Sequence, residues 1–448
     1  MDSRVSTYPK IPVDYAGYWQ PVSISKTYIR TNTCFLQRQY IIRSGKRRIF
    51  LVPHRAHWLL QDWNFIRVWA TGAICNTVRW LEFLAVGLFV LELTGSPFYM
   101  SMIAALRLLP LLLFGSLTGA IADRINRCQL LAAGLVILIM MFATLGTLAI
   151  MDTLRLWHIG ASAFISGLVL STEHSVRRAL LGEISGVASL GTANGLDRST
   201  DNITLIAGPL IGGLVFQTIG LLGTCIVACG MLGIAFCLIA SVRFNPTQGN
   251  LGNASIFSDI QQGLRFALNM PTILRVLITT VIFNFCVWPL WTLLPVVAKS
   301  LLELDPVWTG ILMSMTGIGS LVGALSVAMF IRPAHYQATF FYGSTLFLLA
   351  MLVFTLSAKL WISAIIFVLA GIGLAGFATM QTTIIFSVSP PHMRSTILGI
   401  VVVCIGTSPL GIVTGGILAE QLGATVGLSL ISLGGLLAMG LVGLILKK

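Results

Sequence analysis

Charged side chains inside long apolar runs are few in this sequence, and they mark where chemistry could occur. Arg79 and Glu82 stand three residues apart in the run 66–92, on neighbouring faces of a helix. Both lie in its middle third, too deep for a short carboxylate to snorkel out easily. Arg107 interrupts the next run, Glu173 ends the fourth, and Asp197, Arg198 and Asp201 open the fifth. Each charge buried in hydrocarbon costs roughly 2.5–3.5 kcal/mol on insertion scales, so such positions mark function by default. The chemistry that suits them is proton uptake and release. Burial disfavours a charged carboxylate and a neighbouring Arg favours it, and a balance between the two lets a proton come and go. Glu82, with Arg79 beside it, is the first proton-coupling candidate, and Asp197 and Asp201 are the others. Structural readings compete: an Arg79–Glu82 ion pair, a local Asp197–Arg198–Asp201 cluster, and, for Glu173, Arg177 and Arg178, the favoured reading of interfacial charges. The runs after residue 275 hold no internal acid. They carry Asn284, Trp288 and Trp291 at helical spacing, and Gln381 with Thr382.

The elements that position these groups must be membrane helices. The chain has 448 residues, 56% hydrophobic and 10% charged, with a mean hydropathy of +0.91. A soluble domain carries roughly a quarter of its residues as Asp, Glu, Lys and Arg. Apolar stretches long enough to cross about 30 Å of hydrocarbon lie near 66–92, 98–121, 129–151, 157–175, 195–217 and 219–241. A second set lies near 276–298, 306–331, 338–357, 360–386, 395–419 and 424–446. The fold class is therefore an all-α polytopic membrane protein of about twelve spans, with the bilayer as its solvent.

The net charge of +13 does not indicate nucleic acid, because ten of the 28 basic residues precede Phe65 and most others flank apolar runs. The even-numbered connections carry Arg124 and Arg127; Arg177 and Arg178; Arg243, Arg265 and Arg275; Arg332; and Arg394. The odd-numbered ones carry only Arg155, Lys299 and Lys359. Basic residues are retained on the cytoplasmic side, which puts both termini there. The eight cysteines form no CxxC or Cys/His cluster, so neither a disulfide framework nor a metal site is expected. P-loop, HExxH and GxSxG motifs are absent, which excludes an ATP-driven pump or intramembrane enzyme built on them; no cofactor is implied.

The two sets echo each other. Gly115-Ser-Leu-Thr-Gly119-Ala-Ile in span two matches Gly319-Ser-Leu-Val-Gly323-Ala-Leu in span eight. Pro209-Leu210 with Gly212-Gly213 in span five matches Pro409-Leu410 with Gly415-Gly416 in span eleven. Two matches at nearly one offset, six spans apart, indicate a duplicated six-helix unit. The expected organisation is a basic cytoplasmic extension (1–63), an N-terminal bundle (64–242), a cytoplasmic linker (243–275) and a C-terminal bundle (276–448).

Span two runs into Gly115-Ser-Leu-Thr-Gly119-Ala-Ile-Ala-Asp123-Arg124-Ile-Asn-Arg127, which resembles the G-x-x-x-D-R-x-x-R signature of the major facilitator superfamily. The resemblance implies that Gly115, Gly119, Asp123, Arg124 and Arg127 latch the halves together on the cytoplasmic side, with the start of span eleven as the partner of Asp123. Gly208-Pro209-Leu210-Ile211-Gly212-Gly213 resembles the core of the antiporter motif of exporting facilitators, although Thr204 stands where the longer motif has a further Gly. Asn64–Trp69, Leu93–Pro97 and Arg107–Pro110 look like the bacterial exporter branch that includes the enterobactin exporter. That architecture places helices one, four, seven and ten around a central cavity, so Asn76 and Arg107 would face Asn284, Trp288 and Gln381 across it. The implied function is proton-coupled export, by alternating access, of a small amphiphilic compound such as a siderophore or antibiotic. The protein would act as a monomer in the bacterial inner membrane. Uptake or facilitated diffusion on the same scaffold, and a non-transporting membrane sensor or scaffold, are the alternatives.

Overall fold

A computed structural model describes residues 59–122, 126–243, 265–390 and 393–445. The first helix, α1 (Trp63–Thr94), starts where Asp62 accepts hydrogen bonds from the amides of Asn64 (2.9 Å) and Phe65 (3.4 Å). These are two of the donors that the first turn cannot satisfy itself. It stops at Gly95, whose φ of 65° suits a residue without Cβ. α2 (Pro97–Ala122) follows at once. Asn126 caps α3 (Arg127–Ile150) in the same way, accepting from the amides of Cys128 and Gln129.

The next segment, Leu156–Ala240, is helical for 85 residues but bends sharply at Gly186 (φ 66°) and Gly220 (φ 69°). Those bends divide it into α4 (156–185), α5 (187–219) and α6 (221–240). The second set comprises α7 (Pro271–Leu302), α8 (Pro306–Phe330), α9 (Tyr336–Phe354), α10 (Leu360–Val388), α11a (Arg394–Ile405), α11b (Ser408–Leu422) and α12 (Ala424–Ile445). Ten stretches among the described residues are long and apolar enough to cross a bilayer. One of them, Ser189–Ala240, folds back at Gly220 and so supplies two spans, and the more polar α4 supplies the twelfth.

One expectation needs correction, and one expected span is broken within its length. Residues 176–194 do not form a connection: α4 continues to residue 185 and α5 begins at 187. Arg177, expected at the interface, is 1% exposed, and Glu173 is buried. They neutralise each other within α4, and Asp197 of α5 adds a second carboxylate to Arg177, so the chain need not leave the bundle to solvate them. Span eleven is also not one rod. It breaks ahead of Pro409, which cannot continue an α-helical hydrogen-bond ladder.

Packing relies on small residues because hydrocarbon offers no hydrophobic drive between helices. A Cβ on Gly208 would lie 2.5 Å from Trp80 Cβ, and one on Gly212 would lie 2.9 Å from the Leu81 carbonyl, so both seat α5 on α1. Gly213 seats α5 on α8, where a Cβ would lie 2.4 Å from the Pro306 carbonyl. The second half repeats this arrangement. Gly411 and Gly415 seat α11b on α7 at Phe285 and Pro289, and Gly416 seats it on α2 at Ser101. The duplicated motif thus performs one packing task twice.

A pair of caps closes the bundle at the end that carries the tight turns at Gly95, Gly220 and Gly423. Gln217, near the end of α5, accepts a hydrogen bond from the amide of Val307 at the start of α8 (3.1 Å). Glu420, near the end of α11b, accepts from the amide of Phe98 at the start of α2 (3.2 Å) and from the Ser96 hydroxyl (2.7 Å). From there α5 and α8 stay in contact through Gly310 on Pro209, Ser314 on the Ile206 carbonyl (2.6 Å) and Ser320 on Asn202 (2.9 Å). Outward faces are apolar, as at Ile137, Met140, Ile226 and Leu437, which is the inversion expected of a lipid-solvated surface.

Candidate functional site

The intramembrane charges of the first half meet in two connected groups. Arg107 on α2 pairs with Glu82 on α1 at 2.8 Å, and the Ser166 hydroxyl on α4 donates to the same carboxylate oxygen at 2.9 Å. Arg107 also donates to the backbone carbonyl of Arg79 at 3.2 Å. The expected Arg79–Glu82 pair is therefore replaced by an Arg107–Glu82 pair. A three-residue step fixes which faces two side chains occupy, but it cannot say which neighbouring helix brings a better-placed guanidinium. Arg79 makes no ion pair among the described residues. Its guanidinium lies 5.4 Å from the ring centre of Trp80, and its Nε has no hydrogen-bond partner.

The second group joins α4 to α5. Arg177 holds Glu173 at 2.6 Å, one turn away on its own helix, and also pairs with Asp197. Arg178 bridges Asp197 (3.0 Å) and Asp201 (2.9 Å), and the Asn76 amide on α1 donates to Asp201 at 2.7 Å. Arg198 stands 3.9 Å from Asp201 and is largely exposed. The cluster expected at the start of span five is present, but its cations come from α4. Gly72 is part of the arrangement, since any Cβ there would lie 2.5 Å from the Arg177 guanidinium. Nothing in the sequence around Gly72 signalled that role.

Arg79, Glu82, Arg107, Ser166 and Glu173 line a cavity of about 200 Å³ among α1, α2, α3, α4 and α6. Asn284, Trp288 and Gln381 are not among its lining residues. Asn284 donates to the Thr280 carbonyl (2.9 Å) and Gln381 to the Thr280 hydroxyl (2.7 Å), a neutral bridge between α7 and α10. Trp288 meets Phe83 edge-on with ring centres 6.4 Å apart, and Trp291 meets Trp80 at 5.6 Å, so α1 and α7 touch through aromatic rings. The five cavity candidates are thus distributed over three places: Arg107 in the first-half cavity, Asn76 on Asp201, and the other three on the α7 side.

Asp123 and Arg124 lie outside the described residues, as do the surroundings of Gly115 and Gly119 in α2. Arg127, at the start of α3, pairs with Glu183 near the end of α4.

This duplicated helical plan, with its paired caps and buried ion network, can be set beside known proteins. The sequence profile of the "Transmembrane secretion effector" family of major facilitators matches residues 58–447. The chain belongs to that family. It is a secondary transporter and not an enzyme. Among its relatives is the multidrug efflux pump Tap of Mycolicibacterium fortuitum, 25% identical over 345 residues, which span 75% of this chain and 84% of Tap. Macrolide efflux protein A of Streptococcus pyogenes is 21% identical over 82% of this chain and 91% of its own. Among solved structures, the nucleoside transporter NupG superposes with a TM-score of 0.68 at 13% identity, covering 86% of this chain and 99% of that one. A bacterial homologue of the lysosomal transporter Spinster, inward-facing and unoccupied, gives 0.66 at 14% identity, covering 88% and 96%. Those likenesses establish the fold. The facilitator described here is a multi-pass membrane protein with two pseudo-repeated six-helix bundles.

Proposed function

We propose that this facilitator is a proton-coupled exporter of small amphiphilic organic compounds, with Glu82 as the proton carrier. The observation that carries the reading is the Glu82–Arg107–Ser166 contact inside a cavity of the first half. A carboxylate held by one guanidinium and one hydroxyl can exchange that guanidinium for a proton when the helices shift. Arg107 would then be free to bind elsewhere or to retain Glu82 in the alternate state. Arg79, one turn from Glu82 on α1, tunes the field around it. Asp197 and Asp201 are the second choice, because Asp197 is held by both Arg177 and Arg178, and Asp201 by Arg178 and the Asn76 amide, contacts each must give up to take a proton.

The efflux names of the two relatives and the Gly208–Gly213 stretch favour export. The basic-residue asymmetry favours cytoplasmic termini in an inner membrane, which makes the end with the Gln217 and Glu420 caps the outer one. Asp123, Arg124 and Arg127 then sit on the cytoplasmic side as the latch, and the bundles divide near residues 243–275. The Trp80–Trp291 and Phe83–Trp288 contacts are the aromatic wall that an amphiphile would part. A monomer suffices for this cycle.

Everted membrane vesicles test the reading. An acidic interior should drive accumulation of a macrolide or lipophilic dye, and collapse of the pH difference should release it. Accumulation that ignores the pH difference would remove proton coupling.

A further inference from the structure

The first-half cavity has a second property that proton coupling does not use. Its lining reaches Ala133 and Ile137 on α3 and Leu168 on α4, all exposed on the apolar outer surface of the bundle. Between these helices stands Gly134, where a Cβ would meet only Val169, at 3.0 Å. Gly134 thus lets α3 approach α4 closely at that level, and the gap lies beside this contact, among the exposed Ala133, Ile137 and Leu168. Deeper in, two charged groups on the lining each retain a buried atom without a partner: Glu173 Oε2 and Arg79 Nε. Glu173 is 7% exposed. A carboxyl oxygen in such a place calls for a partner, and a guanidinium N–H calls for an acceptor; leaving either unmet is costly.

We infer that the gap between α3 and α4 admits, from the bilayer, the head of an amphiphile carrying an ammonium beside a hydrogen-bond acceptor. The ammonium N–H donates to Glu173 Oε2, and the acceptor receives Arg79 Nε–H. The tail remains among Gly134, Ile137 and Leu168, in contact with lipid. Size limits the occupant to a head group: one water needs roughly 10–15 Å³ of such volume, so about 200 Å³ holds several heavy atoms with room to spare but no macrocycle. The same chemistry comes from two sources, a free lipophilic amino alcohol and the head of phosphatidylethanolamine. This site stands whether or not Glu82 carries protons, and its test does not measure transport.

The full chain in phosphatidylglycerol nanodiscs, which contain no ammonium, is exposed to sphingosine bearing a diazirine in its tail and irradiated. Labelled peptides should contain residues 134–138 and 168–172. N-acetylated sphingosine, which keeps the hydroxyl and loses the ammonium, should label about tenfold less, in line with the loss of one charge-assisted hydrogen bond. Glu173→Gln should reduce labelling by a similar factor. Ala133→Phe, which adds a ring at the exposed lining and leaves every charge in place, should also reduce it, so the test does not rest on a variant that disturbs the ion network. Competition by added phosphatidylethanolamine would identify the lipid head as an occupant, and absence of competition would identify the free amphiphile. Labels confined to α7 and α10, or equal labelling by the N-acetyl analogue, or no change in Ala133→Phe, would overturn the inference.

Discussion

The two bundles solve one packing problem with the same glycines and then diverge in what they bury. Around α1, α2, α4 and α5, four carboxylates and four guanidiniums gather, buried or half-buried: Glu82, Glu173, Asp197 and Asp201 with Arg79, Arg107, Arg177 and Arg178. The corresponding space around α7 and α10 holds Thr280, Asn284 and Gln381, which are neutral and satisfied by one another and by backbone. The two caps diverge in the same way, a carboxyl-bearing Glu420 on α2 against an amide Gln217 on α8. Duplication preserved the frame, and among the described residues the fully buried carboxylates and guanidiniums inside it belong to the first copy. A cycle driven by protons then has one moving electrostatic part and one passive wall.

The largest difference between the halves should appear on breaking a buried charge. Arg177→Met leaves Glu173 and Asp197 enclosed without their shared cation, a loss of about 3–5 kcal/mol for such pairs. The folded yield and thermal midpoint in detergent should fall sharply, and a midpoint near that of the wild type would mean that the network is not structural. Gly310→Leu comes next. Its Cβ would lie 2.4 Å from the Pro209 carbonyl, so α5 and α8 must part. Overpacking of this kind costs about 1–3 kcal/mol, and cross-linking between α5 and α8 at their outer ends should weaken. Gly230, which has nothing within 4 Å of its Cβ position, is the control and should accept Leu. The smallest effect belongs to the passive wall. Thr280→Val with Gln381→Leu removes both partners of a neutral contact together, and such replacements are nearly neutral. A change under about 1 kcal/mol in unfolding by urea or heat is expected, and a collapse comparable to Arg177→Met would erase the distinction between the halves.

The fold was largely legible in advance because hydrocarbon imposes length and composition on each span, and because Gly212-Gly213 and Gly415-Gly416 repeat a close helix approach that leaves no room for a Cβ. The deep position of Glu82 and Arg107 was legible, but not their pairing. Glu82 stood out as a deep carboxylate, yet the sequence offered Arg79 as its partner when Arg107 holds it. Helical spacing governs contacts within a helix and is silent about those between helices. Arg177 was misplaced for a related reason. Its polarity suggested a boundary, whereas two carboxylates from α4 and α5 meet it inside. Gly72 gave no signal at all, since its importance lies in the guanidinium packed on it.

The most direct test of the central claim counts protons and substrate in the same proteoliposomes. In the wild type, an imposed pH difference should concentrate substrate, and each turnover should move protons the other way. Glu82→Gln keeps the side chain's size and its contact with Ser166 while removing the titration. It should exchange substrate across the membrane at near wild-type rates and concentrate none. If Glu82→Gln still concentrates substrate at the expense of the pH difference, the proton carrier is not Glu82, and the account of this half as the moving part passes to Asp197 and Asp201 or fails.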